Sequence, residues 1–190
     1  IYDASKQEYE LSGSGKNIWG ANDEFHYLYK RIKGDFILHC RGAFMGKGVD
    51  PHRKFGWMVR SGLDTGSAMV SAAVHGDGLA SLQFRNSVKG QVEETKSPLA
   101  GPDVLQLERK GNKYVMSVAK FGEPFVTSDT LVSNLPDEVY AGLFICAHNP
   151  DVVEKARFDN VRITRPTKPG AVPYRDYLGS RLEIMNVTTG

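Results

Sequence analysis

The sequence predicts an all-β fold, a two-sheet antiparallel sandwich or jelly roll, and three observations carry that prediction. Short segments of alternating apolar and polar residues recur along the chain, separated by Gly, Pro, Asp and Asn. No segment holds a helical period over three turns. Residues 55–85 outline a β-meander: 55–60, 69–75 and 79–85 read as strands, with Ser61-Gly62, Asp64-Thr65-Gly66 and Gly76-Asp77-Gly78 turning the chain between them. At 190 residues, a sandwich commonly stays one domain.

Each element has its own local reason. Residues 8–12 make a short strand, followed by the turn loop Gly13-Ser-Gly-Lys-Asn-Ile-Trp-Gly20, whose glycines lack the spacing and the following helix of a dinucleotide site. Residues 25–29 alternate as a strand, Gly34-Asp35 reads as a tight hairpin, and 36–41 return toward Phe44. In the meander, alternation puts Trp57, Val59, Val70, Ala72, Val74, Leu82 and Phe84 on one face. Met58, Arg60, His75, Gln83 and Arg85 fall on the other. Residues 86–103 form a long polar loop that can border this second face.

Segments 104–110 and 113–119 flank Gly111-Asn112, a strong hairpin signal. Leu105, Leu107, Tyr114, Met116 and Val118 then point to the core, and Gln106 and Glu108 away from it, with Glu108 assigned to the polar face. Phe121-Gly-Glu-Pro124 turns the chain. Residues 139–148 are a nearly continuous apolar strand, as expected mid-sheet. Residues 154–164 close the series with Ala156, Phe158, Val161 and Ile163 as core positions, and the break in alternation after Phe158 marks a bulge. Past Thr164 the composition changes. The domain reading is a sandwich over 1–165, a Pro-rich linker over 166–180, and the start of a following domain or an edge strand over 181–190.

Composition excludes several classes. A net charge of +2 with interspersed signs argues against a nucleic-acid surface, and Lys30, Arg31 and Lys33 read as a solvated strand end. No apolar run approaches the ~20 residues of a membrane span. The chain begins at Ile1 rather than Met, so an export signal is expected to have been removed. Cys40 and Cys146 are too few for a disulfide framework and read as unpaired, buried and in different layers.

A set of motifs adds a resemblance. Gly13-Ser-Gly-Lys-Asn-Ile-Trp-Gly20, Asp23-Glu-Phe-His-Tyr27, Gly34-Asp35, Gly56-Trp-Met-Val-Arg-Ser61, the strand from Gly142-Leu143 to His148-Asn149, and Phe158-Asp-Asn-Val161 together resemble the concanavalin A-like sandwich domains of the regulation-of-enolase type. The resemblance covers about residues 5 to 165. It implies a two-sheet concanavalin A-like jelly roll, serving as a non-catalytic module of a secreted or periplasmic bacterial protein, often beside glycan-active enzymes. Residues 174–190 resemble the entry into a propeller of the TolB type, implying a downstream β-propeller domain as a partner within the full-length protein.

Catalytic patterns are missing. Glucanases on this fold resemble one another in carrying Glu-x-Asp-x-x-Glu on one strand, and no Glu-x-Asp occurs here. Glu93-Glu94 are adjacent in the expected loop, where they read as solvated, and adjacent carboxylates would point apart in a strand. There is no Gly-x-Ser-x-Gly elbow, Cys-x-x-Cys or His-x-x-x-His. Asp159-Asn160 can offer oxygens to a structural calcium, though a turn or bulge role is favoured and no cofactor is assigned. The leading expectation is glycan binding on the polar face. Arg60, His75, Gln83, Arg85, Glu108 and His148 would hydrogen-bond sugar hydroxyls, Trp19 and Phe144 would stack on the ring, and Trp57 would be core. Two alternatives stand beside it: a structural or protein-interaction role in which the polar residues pair among themselves, and a glucanase-like hydrolase with Glu108 as its acid.

Overall fold

The computed structural model describes residues 1–166, and among them finds only strands, turns and loops. In chain order these are β1 (Tyr2–Asp3), β2 (Glu8–Gly13), β3 (His26–Lys33), β4 (Phe36–Met45), β5 (Lys54–Arg60), β6 (Met69–His75), β7 (Ala80–Arg85), β8 (Glu93–Lys96), β9 (Val104–Lys110), β10 (Lys113–Ala119), β11 (Val126–Thr127), β12 (Leu131–Val132), β13 (Glu138–Cys146) and β14 (Glu154–Thr164). One sheet has eight strands, ordered β1, β2, β14, β4, β9, β10, β11, with β12 also on β10. The other has six, ordered β3, β13, β5, β6, β7, β8. All pairings are antiparallel, and β3 is an edge strand. The fold is thus an antiparallel two-sheet jelly roll.

The core lies between the sheets. Trp57, Val59, Val70, Ala72 and Leu82 of the six-stranded sheet meet Leu38, Cys40, Leu105, Leu107, Tyr114, Met116 and Phe158 of the other, all fully buried or nearly so. Alternation had assigned these faces from local pattern, because one flank of each strand must leave water. The meander forms as expected, and the Gly111-Asn112 hairpin pairs Lys110 with Lys113 across a two-residue turn. The bulge in β14 appears as a register shift between Asp159 and Arg162, with Asn160 at φ +49°.

Two local readings are corrected. Gly34-Asp35 is not a hairpin: β3 joins the six-stranded sheet and β4 the other, so the turn carries the chain between layers. A two-residue turn fixes direction, whereas partner choice is nonlocal; here β13 takes β3 and β14 takes β4. The loop over 86–103 contains β8, which extends the six-stranded sheet by pairing with β7. The linker and terminal strand expected from residue 166 onward lie, from 167, outside the described residues.

Candidate functional site: two ends of one sheet face

Register sets out the outward face of the six-stranded sheet in four cross-strand rows. Tyr140, Arg60, Met69 and Arg85 form the first; Gly142, Met58, Ser71, Gln83 and Glu94 the second. Phe144, Gly56, Ala73 and Ser81 form the third, and Cys146, Lys54 and His75 the fourth. The sequence placed Arg60, His75, Gln83 and Arg85 on this side, and they are there. What local pattern did not give is a cover.

The strap between β2 and β3, residues 14–25, lies over the face. Ile18 is fully buried in a second apolar cluster with Met58, Met69, Ala73, Phe144, Cys146 and Val92, the last from the loop before β8. Gly15 lets the strap double back: at φ +115° a Cβ would sit 2.1 Å from the Glu24 carbonyl oxygen. At the first row, Asp23 comes down between two arginines. Arg85 Nη2 donates to Asp23 Oδ1 (2.6 Å) and Nη1 to Oδ2 (2.9 Å), while Arg60 Nη1 also reaches Oδ2 (2.6 Å). Most of the remaining guanidinium hydrogens go to backbone carbonyls of Gly62, Asp64, Ser67, Gly20 and Gly90, and Arg60 Nη1 also faces Met58 Sδ at 3.6 Å. All three side chains are at most 1% exposed. This end is sealed, and its buried ions are paired and extensively hydrogen-bonded, the condition under which buried charge is tolerated.

The fourth-row end is different. His75 Nδ1–H donates to the Leu79 carbonyl (3.1 Å), which leaves Nε2 to accept from Gln83 Nε2 (3.4 Å). Gln83 Nε2 also faces Glu94 Oε2 at 3.3 Å. Burial, then the nearby Lys54 charge, lower the His75 pKa to about 4, so the ring is neutral at pH 7. Burial likewise lowers the pKa of Lys54, which is 3% exposed; nearby Cys146, Glu94, Asp50 and Asp23 oppose this only in part. The Lys54 ammonium donates to Asn17 Oδ1 (3.0 Å) and pairs with no carboxylate of the described residues. Asn17 Nδ2 in turn donates to His148 Nε2 (3.1 Å), and His148 Nδ1–H to Asp50 Oδ2 (3.2 Å). Gln83 Oε1 and Ser71 Oγ are buried with no partner among the described residues.

Of the residues nominated from sequence, His75 and Gln83 meet directly and His148 joins through Asn17 and Lys54. Arg60 and Arg85 are on the right face but inaccessible, held by Asp23. Glu108 is misplaced by the sequence reading: β9 belongs to the eight-stranded sheet, so its outward side chain lies on the opposite side of the molecule. Parity along a strand gives a face but not a sheet. Phe144 is fully buried, edge-on to Phe25 at 6.2 Å, and is unavailable for stacking; Trp19 is 45% exposed on the strap, and Trp57 is core. Reasoning from sequence missed Asp23, Asn17, Lys54 and Asp50. Two same-face arginines without an acid on their own strands were the available signal for Asp23.

The sequence matches no family model and no curated protein. Solved structures do match in fold. A functionally unknown protein from Saccharomyces cerevisiae aligns at TM-score 0.68 with 16% identity, over 88% of this chain and 92% of that one. The carbohydrate-binding module CBM66 from Bacillus subtilis aligns at 0.52 with 15% identity, over 82% and 94%. Xyloglucan PUL GH43B from Bacteroides ovatus aligns at 0.59 with 12% identity over 80% of this chain, but only 32% of that chain. The class is therefore a concanavalin A-like sandwich, a fold shared with proteins named for carbohydrate binding and glycoside hydrolysis.

Proposed function

We propose that the protein is a non-catalytic glycan-binding module that holds a sugar against the Lys54 end of the six-stranded sheet. The observation that carries this reading is unfilled hydrogen-bonding capacity. Among the described residues the Lys54 ammonium of the fourth row has one acceptor, while Gln83 Oε1 and Ser71 Oγ of the second row have no partner, and buried polar groups in native proteins are commonly met by water or ligand. A sugar brings both donors and acceptors. It would approach past Asp50 and His148, each about a quarter exposed, and Glu94, with Lys54, His75 and Gln83 as inner partners. The likeness in fold to a carbohydrate-binding module supports the class of ligand. The regulation-of-enolase-type resemblance, export to the periplasm or cell exterior, and pairing with a downstream β-propeller belong to the same proposal.

A second reading, a structural or docking module, is favoured by the sealed end, where Asp23 satisfies both arginines without any ligand. A glycan array followed by calorimetry separates the two. Saturable binding that weakens ~10-fold or more in both Lys54→Met and Gln83→Ala supports the glycan reading, tenfold being about 1.4 kcal/mol. No binding to any glycan, or binding indifferent to both changes, would leave the structural reading.

A further inference from the structure

We infer that the outer face of the eight-stranded sheet carries a second ligand site, a cleft for a single neutral pyranose ring between Phe121, Phe125 and the β14 bulge. Register puts Asp159, Arg41, Val104 and Ala119 in one row across β14, β4, β9 and β10. The short side chains of Val104 and Ala119 leave a hollow in that row. The turn after β10 borders it, and the resulting cleft has a volume of about 200 Å³.

The lining is not that of an ordinary loop surface. Phe121 is 67% exposed and Phe125 45%, so both rings keep apolar surface open to water beside the cleft. Phe121 is fixed from two directions by Asp103, whose Oδ1 accepts the Phe121 backbone N–H (2.7 Å) and whose Oδ2 lies 3.4 Å from Nε of Arg41. Arg41 stacks on the Phe121 ring at 4.4 Å. Phe125 stands edge-on to His39, centroids 6.4 Å apart. The bulge sets Asn160 in a left-handed conformation, from which Nδ2 faces His39 Nε2 at 3.4 Å. Phe158-Asp-Asn-Val161, a motif with no role in the first site, therefore supplies Asp159 and Asn160 to this cleft.

These features select a ligand chemistry. The volume is below the range of pockets for drug-sized molecules, which begin at about 300 Å³, and suits one ring. Pre-positioned, half-exposed phenyl faces gain by covering with the C–H face of a sugar. Asp159, Asn160 and His39 supply acceptors and donors together, as ring hydroxyls require, and the long His39–Asn160 contact is readily exchanged for a hydroxyl. Charge is balanced, with Arg41 and Lys120 against Asp159 and Glu123, so the cleft favours a neutral ring over a uronate. This site lies on the opposite sheet from the Lys54 end and does not depend on it.

The test is an amide-resolved NMR titration of the full chain with methyl β-glucopyranoside, methyl β-galactopyranoside and methyl β-xylopyranoside, with glucuronate as the charged control. At least one neutral pyranoside is expected to bind with a Kd of about 1 mM and to shift the Phe121, Gly122 and Asn160 amides. Phe121→Ala and Phe125→Ala, at exposed rings that leave the fold intact, should each weaken that binding ~10-fold. Loss of binding with an unchanged spectrum elsewhere supports the cleft. Shifts confined to the Lys54 end, binding unchanged in both variants, equal binding of glucuronate, or no shift at these three amides would overturn it.

Discussion

The two ends of the six-stranded sheet's outer face are built from the same kinds of residue and are finished differently. At one end two guanidiniums share the Asp23 carboxylate, and most of the remaining donors find carbonyls. Toward the other, the Lys54 ammonium meets an amide oxygen, and Gln83 Oε1 and Ser71 Oγ, two rows in, meet nothing among the described residues. The near-complete hydrogen bonding of the first end marks it as architecture, whereas the second keeps polar capacity that water or a ligand can meet. Polarity alone did not distinguish them.

The sharpest way to break this contrast is at Asp23. Asp23→Ala leaves two buried guanidiniums short of their carboxylate and should destabilise by about 3–5 kcal/mol, read as a lowered urea midpoint. A loss under about 1 kcal/mol would mean that water enters and the end is not sealed. Next in size is pH. The folded pKa of His75, about 4, lies below its unfolded value of about 6.5. Below pH 6.5 the unfolded chain takes up a proton that the folded chain refuses, so stability is lost as pH falls from 6.5 toward 4, by up to about 3 kcal/mol. The difference between wild type and His75→Gln in urea midpoints across that window should carry this slope; parallel profiles would contradict it.

Lys54 should behave in the opposite sense to Asp23. Its folded pKa is depressed, so at neutral pH holding the proton already opposes folding, and Lys54→Met should leave stability unchanged or raise it by about 1 kcal/mol. A loss of several kcal/mol would place Lys54 with the architecture instead. The smallest effect is expected at Ser71, whose hydroxyl has no partner among the described residues: Ser71→Ala should change stability by no more than ~1 kcal/mol in either direction, read from the urea midpoint. A larger loss would show that an ordered water already completes the site.

The sequence made the strands and their faces legible because alternation, turn chemistry and the bulge are local. The meander, the Gly111-Asn112 hairpin and the break after Phe158 all appear where pattern put them. Sheet membership is a different matter. Gly34-Asp35 gives no local sign that β3 and β4 part company, and the parity of Glu108 is the same whichever sheet takes β9. The strap was the largest omission at the site. A loop with one isoleucine, two asparagines and one aspartate reads as polar, yet Ile18 fills an apolar hollow while Asn17 and Asp23 reach opposite ends of the face. Such docking rests on contacts between residues dozens of positions apart, which no window of sequence contains.

The edge position of β3 has one further consequence, for self-association. Among the described residues no strand pairs with the outer side of β3, and an edge of that kind is a template on which another strand can add. This one carries His26, Lys30, Arg31 and Lys33, with Arg31 and Lys33 tied back to Glu138 and Asp137. A second copy presenting the same edge would set basic side chains against basic side chains. Sheet growth into ribbons between copies of this chain is thereby disfavoured.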